Sequence, residues 1–274
     1  MYEANNRLSK IAETPILDAQ VLLAYQLRRD RSWVLSHPEH ELSQKDLSIL
    51  EESLAMLEEH YPLPYITGRC FFYDLEFIVT PDVLIPRPET EMLVEHALSW
   101  LKHCKSDQFV LDIGTGSGCI AAAIAVNNPG TRFLAVDLSS SALMVAEQNF
   151  CNLGLSNRCN LMRGDLTSAI SGKFSLICAN LPYIPTGKLQ HLPVTQNEPV
   201  AALDGGTDGL RIIKRLLEDI IRLTADEVCI LLEIEAEQGE SAKSLAYQYF
   251  PEARISVDQD LADLDRLLII RRES

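Results

Sequence analysis

Asn180, Leu181, Pro182 and Tyr183 follow an apolar run, Ser175 to Ala179, and bring together a carboxamide, a backbone carbonyl and an aromatic ring. Such a set suits a planar amide or amine. An amide nitrogen is a poor nucleophile because its lone pair is delocalised. A site that uses it must hold its N–H groups on two acceptors and turn the lone pair toward an electrophile. The Asn180 side chain and the Leu181 carbonyl are candidate acceptors, and Pro182 disfavours helical backbone at Leu181, aiming that carbonyl outward. Tyr183 offers a flat wall. Upstream, Gly114, Thr115, Gly116, Ser117 and Gly118 form a loop able to cradle a ligand with backbone. A dinucleotide fingerprint would need its last glycine where Cys119 stands, so a nicotinamide cofactor is disfavoured. Asp112 and Asp137 end successive apolar runs and could face a cationic group and a ribose. Gly164-Asp165-Leu166 ends a third, where Asp165 could accept a purine amino group and Leu166 cover its ring. The plain alternatives are a ligand-free glycine turn, a β-turn aspartate, and a strand that stops at a proline beside a buried tyrosine.

These residues need a scaffold that collects strand ends. The pattern predicts strands over 109–113, 132–137, 159–162, 174–179, 228–234, 254–257 and 267–271, with helices over 117–127 and 139–153. This is a doubly wound α/β fold: seven strands in a mainly parallel sheet between helical layers, with the last two strands as an antiparallel edge. Ahead of it, residues 1–67 read as a small helical domain. Thr14-Pro15 opens a helix with Ile16, Leu17, Val21, Leu22 and Leu23 on its apolar face. Ser43 with Asp46 opens another carrying Leu47, Leu50, Leu54 and Leu57. Residues 62–68 break the helical pattern, 71–79 alternate as a β-hairpin, and 68–82 are expected to bridge to a catalytic domain over 83–274. In the stretch Leu84 to Glu91, two prolines hold the chain extended around Arg87, and Thr90 is placed to cap the next helix. Arg87 could face a substrate or pair with Glu89 or Glu91.

The formal charge of −15 and pI near 4.8 argue against a long phosphate-binding groove. The seven cysteines contain no C-x-x-C, and His37 and His40 lack a second ligand pair, so neither a disulfide framework nor a metal site is indicated. No uninterrupted apolar stretch is long enough to span a membrane. A cytoplasmic protein without a membrane partner is expected.

Five motifs are spread between residues 64 and 210: Pro64-Tyr-Ile-Thr-Gly68, Leu84-Ile-Pro-Arg-Pro-Glu-Thr-Glu91, Leu111-Asp-Ile-Gly-Thr-Gly-Ser-Gly-Cys-Ile120, Asn180-Leu-Pro-Tyr-Ile184 and Glu198-Pro-Val-Ala-Ala-Leu-Asp-Gly-Gly-Thr-Asp-Gly-Leu210. Together they resemble the protein-glutamine methyltransferases of the HemK or PrmC type, which modify peptide chain release factors. The resemblance implies a class I methyltransferase fold and S-adenosyl-L-methionine as methyl donor. It puts Gly114 to Gly118 under the donor's amino-acid part, Asp137 on its ribose, and Asp165 with Leu166 around its adenine, with Asn180 beside both donor and substrate. It implies that Asn180 to Tyr183 hold a glutamine, with Asn180 and Tyr183 catalytic and Arg87 in the substrate wall. Phe72 is implied to line the same pocket. The acceptor implied is the Gly-Gly-Gln glutamine of class 1 peptide chain release factors, and no nucleic-acid substrate is expected.

The chain departs from the family pattern at Leu181, where a first proline is usual, at Glu235, where glycine is usual, and in Asp260 to Arg266, which lacks a glycine. The last two put the outer turns in question. Two other functions compete. Adenine methylation of RNA or DNA could use the same acceptors on an extruded base, and a non-catalytic adaptor could bind the cofactor alone.

Overall fold

A computed structural model describes residues 1–104 and 108–273, which divide into two compact units, Met1–Arg69 and Cys70–Ser274. The first unit holds α1 (Tyr2–Leu8), α2 (Pro15–Leu27), α3 (Arg31–Ser36), α4 (Gln44–Glu58) and α5 (Leu63–Thr67). Its core gathers Leu8, Leu22, Leu50, Leu54 and Leu57. At the start of α4, Ser43 and Asp46 exchange the bonds of a capping box, satisfying two otherwise orphaned N–H groups. Thr14 does not cap α2. Its hydroxyl donates instead to Asp18, one turn on, at 3.0 Å. The buried stripes are narrower than the sequence pattern suggested, since Ile16, Leu17 and Leu47 are exposed. The stretch 62–68 also differs from expectation. Proline is tolerated in a first helical turn, and left-handed Gly68 ends α5 after five residues.

The second unit opens with the hairpin strands β1 (Arg69–Phe72) and β2 (Leu75–Ile78), whose turn residues Tyr73 and Asp74 both have positive φ. Its main sheet comprises β3 (Gln108–Ile113), β4 (Thr131–Asp137), β5 (Cys159–Arg163), β6 (Phe174–Ala179), β9 (Thr224–Glu233), β10 (Arg254–Gln259) and β11 (Asp265–Arg272). A separate parallel pair, β7 (Ile184–Pro185) with β8 (Asp204–Gly206), is too short to leave a periodic signal. The spatial order β10-β11-β9-β6-β3-β4-β5 places the expected antiparallel hairpin at one edge. From β3 the chain winds outward through β4 and β5, then returns to lay β6 on the other side of β3. The carboxyl ends of β3 and β6 thus flank a topological switch point, where open α/β sheets bind ligands.

Side chains alternate across each strand and fill two cores. Val110 joins α6 (Glu91–Leu101), α7 (Cys119–Asn127) and α8 (Ser140–Asn152) on one face. Leu111 and Ile113 join α10 (Arg211–Ile220) and α11 (Gly239–Tyr249) on the other, while α9 (Thr186–Leu189) follows β7. Helix α7 starts two residues later than its alanine-rich pattern suggested, because Gly118 caps it in the left-handed conformation. Side chains order the outer turns. Asp263 takes the left-handed role at φ 58°, and Asp260 Oδ1 accepts from the Ala262 and Leu264 amides. Glu235 accepts from Lys188 Nζ at 3.0 Å.

One buried side chain ties the hairpin to the glycine loop. Asn149, on α8, accepts from Ile78 N at 2.7 Å and donates to Ile78 O at 3.0 Å and Ser117 O at 2.8 Å. Its removal strands three backbone groups, each costing about 1–3 kcal/mol when buried and unpaired. Asn149→Ala is therefore expected to lower the stability of the second unit by at least about 2 kcal/mol in urea unfolding. An unchanged midpoint would show that the clasp contributes nothing.

Candidate active site

The loop Gly114 to Gly118 is held open by the strand next to it. Val136 O accepts from the amides of Gly114 and Thr115, and Asp137 accepts from Gly116 N at 2.9 Å and Ser139 N at 2.8 Å. One carboxylate therefore fixes both the loop and the start of α8. Between this loop, the Pro81 to Arg87 stretch and the β6 end lies a cavity of about 780 Å³, a size common for small-molecule sites. Its polar wall includes Thr115, Ser117, Asp137 and Asn180. Ile113, Ile120, Val136 and Leu166 supply apolar surface.

The structure brings most of the expected residues to this cavity and leaves some outside. Gly114, Thr115, Gly116, Ser117, Asp137, Asp165, Leu166, Asn180, Leu181, Pro182 and Arg87 line it. A Cβ on Gly116 would meet nothing nearer than the Gly114 carbonyl oxygen at 4.0 Å, so a ligand can lie against bare backbone there. Gly118 does not line the cavity. It has φ +80°, and a Cβ there would stand 2.7 Å from Phe150 Cε1, so this glycine serves the packing of α7 on α8. Phe72 is also absent from the wall, because its ring is buried in the core beside Phe77, with centroids 6.2 Å apart. Leu181 contributes more than a carbonyl, since its side chain is buried over Gly114. Asp165 is on the rim in an ion pair with Arg215 at 2.8 Å, so any purine amino group would share that carboxylate. Arg87 pairs with neither Glu89 nor Glu91. It reaches Glu198, whose other oxygen accepts from Ile85 N at 3.3 Å and so tethers the proline-rich loop.

Asp112 departs from its expected place in the site. It is fully buried beneath the loop, with Oδ2 accepting from Thr115 Oγ1 at 2.6 Å and Oδ1 buried without a hydrogen-bond partner. Burial pushes its carboxyl up to about 7 against the pull of the Thr115 hydroxyl.

Tyr183 lines a second, smaller cavity of about 120 Å³, which also has Arg87 and Asn180 in its wall. Its hydroxyl donates to Glu233 Oε1 at 3.0 Å, and burial beside that carboxylate holds the phenol well above its ordinary range. Glu233 Oε2 accepts from Thr90 Oγ1 at 2.6 Å, and Asn180 Nδ2 lies 3.2 Å from the same hydroxyl. Burial raises the Glu233 carboxyl above the ordinary glutamate range, opposed by the Thr90 and Tyr183 hydroxyls. Thr90, expected as a helix cap, makes no capping bond. Thr90, Glu198 and Glu233 are the site residues that sequence reasoning missed. Thr90 and Glu198 lie inside two of the quoted motifs, and Glu233 shows as an acidic residue within an otherwise apolar strand, Leu231-Leu-Glu-Ile234.

A crevice at the switch point of a seven-stranded sheet, with a glycine loop on one wall, defines the class I methyltransferase architecture. The family comparisons agree. The PrmC N-terminal domain matches residues 2–68 and the Methyltransferase small domain matches 89–197. The chain is 40% identical to the release factor glutamine methyltransferase of Moorella thermoacetica, covering 95% of this chain and 93% of the relative. Its identity to the Bacillus subtilis enzyme of the same name is 37%, covering 91% and 89%. The fold also superposes on a ribosomal protein L11 methylase from Lactobacillus delbrueckii subsp. bulgaricus. That match has TM-score 0.52 and 19% identity over 71% of this chain and 84% of that one. The chain belongs to the release factor glutamine methyltransferase family.

The buried Asp112 has a consequence for stability. Its carboxyl holds its proton to about pH 7 when folded but has an ordinary value of 3.8. Between those values the folded protein binds the extra proton, so this group's contribution to stability falls as pH rises from about 4 to 7. Asp112→Asn is expected to remove that slope, gaining up to about 4 kcal/mol relative to wild type across the interval. Parallel denaturation curves for the two proteins from pH 4 to 8 would contradict it.

Proposed function

We propose that the protein transfers a methyl group from S-adenosyl-L-methionine to the side-chain amide nitrogen of the glutamine in the Gly-Gly-Gln motif of class 1 peptide chain release factors. The observation that carries this reading is Asn180, which lies in the walls of both cavities with its amide nitrogen at hydrogen-bond distance from Thr90. With Nδ2 engaged there, Oδ1 remains as an acceptor. The family membership supplies the identity of the substrate.

The walls of the larger cavity fit the donor. Bare backbone at Gly116 suits its amino-acid part, and Asp137 stands where ribose hydroxyls would need a charged acceptor. The apolar side chains near Leu166 suit an adenine. When bound, it supplies an electrophilic methyl carbon on a sulfonium. The chain's own task is positional. Asn180 Oδ1 and the Leu181 carbonyl accept the two N–H groups of the substrate amide, turning its lone pair toward the methyl carbon. Tyr183 keeps a neutral, anchored ring beside that position, and Arg87, held by Glu198, stiffens the facing loop. The nitrogen gains its bond to the methyl carbon as the methyl–sulfur bond breaks, the electron pair staying on sulfur in the departing thioether, and it gives up one proton, which passes to solvent after transfer. The helices of 1–67 and the 68–82 hairpin are proposed to contribute the docking surface.

Asp137→Ala is expected to weaken S-adenosyl-L-methionine binding by about 1.5–3 kcal/mol for each charged hydrogen bond lost. Calorimetry on the folded variant tests this, and unchanged affinity would remove Asp137 from the donor site. With labelled donor and purified release factor, wild type should label the native factor but not one with Gln→Ala in the Gly-Gly-Gln loop. Asn180→Ala should lower single-turnover transfer about a hundredfold. Equal labelling of both factors, labelling of ribosomal RNA instead, or an undiminished rate for Asn180→Ala would overturn the reading.

A further inference from the structure

The groups behind Asn180 form an ordered chain whose two ends differ in what they can exchange. Glu233 is buried at the end of β9 and accepts from two hydroxyls, Thr90 Oγ1 at 2.6 Å and Tyr183 Oη at 3.0 Å. Thr90 is 1% exposed, so water does not compete for its hydroxyl. A hydroxyl has a single proton to donate. That proton goes to Glu233 Oε2, so the Thr90 oxygen is left as an acceptor. Across 3.2 Å from that oxygen, the Asn180 carboxamide must present its NH₂. A reversed amide would set oxygen against oxygen. The Tyr183 bond pins the other carboxylate oxygen and keeps Glu233 from turning away.

We infer that Glu233, acting through Thr90, fixes the orientation of the Asn180 carboxamide and so makes the site select an uncharged amide over a carboxylate. This rests on the reading of Asn180 as a substrate acceptor. Neither Thr90 nor Glu233 need touch the substrate; they are positioning residues. With Oδ1 toward the acceptor site, a glutamine amide meets an acceptor with its N–H, whereas a glutamate carboxylate meets acceptor with acceptor. Sites built to hydrogen-bond one polar group reject its unmatched analogue strongly, because the buried partners are left unpaired. If the relay is broken, Asn180 is free to flip and offer NH₂, and that rejection weakens.

The test uses the full-length enzyme with Thr90→Ser, Thr90→Val and Glu233→Gln. The Ser variant keeps the hydroxyl, the Val variant keeps the shape without it, and the Gln variant can donate to Thr90 and reverse the relay. The substrate is a release factor with its Gly-Gly-Gln loop, and the competitor is the same factor carrying Gly-Gly-Glu. Thr90→Ser is expected to keep the wild-type preference. Thr90→Val and Glu233→Gln should each lower kcat/KM for the glutamine factor roughly tenfold or more while the glutamate factor inhibits better relative to wild type. A merely structural role would reduce activity without shifting that preference. Wild-type preference retained in both folded variants would overturn the inference. Should a Val variant fail to fold, the Gln variant decides alone.

A substrate-free readout separates this inference from the function itself. In the NMR spectrum of the free enzyme, the Asn180 side-chain NH₂, assigned by its loss in Asn180→Asp, should have one proton protected from exchange. That protection should persist in Thr90→Ser and vanish in Thr90→Val. Equal protection in all three would contradict the relay whatever the substrate is. If wild type transferred no methyl to the glutamine factor yet showed the protected proton, the relay would stand and the proposed function would fall.

Discussion

The reversal of strand order between β3 and β6 governs where everything else sits. These two strands are neighbours and parallel, with Ile113 level with Ala179. The chain leaves their carboxyl ends toward different layers: the glycine loop runs into α7 on one face, and Asn180 to Tyr183 runs into β7. Because the two exits diverge, a crevice opens between them without any hollowing of the core. Two chemically different walls follow from that divergence, one of glycine-loop backbone and one bearing the Asn180 carboxamide. The residues between need only be small enough at Gly116 to let a ligand approach, and rigid enough at Leu181-Pro182 to keep a carbonyl aimed.

Rigidity is supplied by buried or half-buried polar groups that bind segments distant in sequence. Asp137 holds the glycine loop to the start of α8, Asn149 holds the same loop to the β2 strand, Glu198 holds Arg87 and the Ile85 amide, and Glu233 holds Thr90 and Tyr183. Each buried carboxylate or carboxamide costs desolvation unless its bonds are met, so each has a sharply defined geometry once folded. An active site walled by such groups is preorganised, which is where most of the advantage over solution chemistry arises when the reaction needs alignment more than proton transfer.

The sheet and its loops were legible in the sequence because strands and alanine-rich helices leave local periodicities. The seven strands and their antiparallel edge follow from runs such as Val110 to Ile113 and Leu267 to Arg271. The glycine loop and the Asn180 to Tyr183 turn announce themselves by composition. What stayed hidden depends on pairing across the fold. Thr90 before a helix reads as a cap, and only the return of β9, 143 residues later, shows that its hydroxyl serves Glu233. Arg87 beside Glu89 and Glu91 invites a local pair, while its partner Glu198 lies 111 residues away. Gly118 looks like part of a ligand cradle until Phe150 fills the space beside it. Phe72 looks like a pocket wall until the hairpin turns it into the core.

In the proposed reaction this crevice directs a methyl group onto one amide nitrogen of a protein. Peptide mass spectrometry of a release factor incubated with the enzyme and S-adenosyl-L-methionine tests it most directly. The expected result is the mass of one added methyl on the side chain of the Gly-Gly-Gln glutamine, with fragment ions that exclude the backbone and neighbouring residues. A methyl located on any other residue, or a factor that stays unmodified while a nucleic acid acquires the methyl, would contradict it.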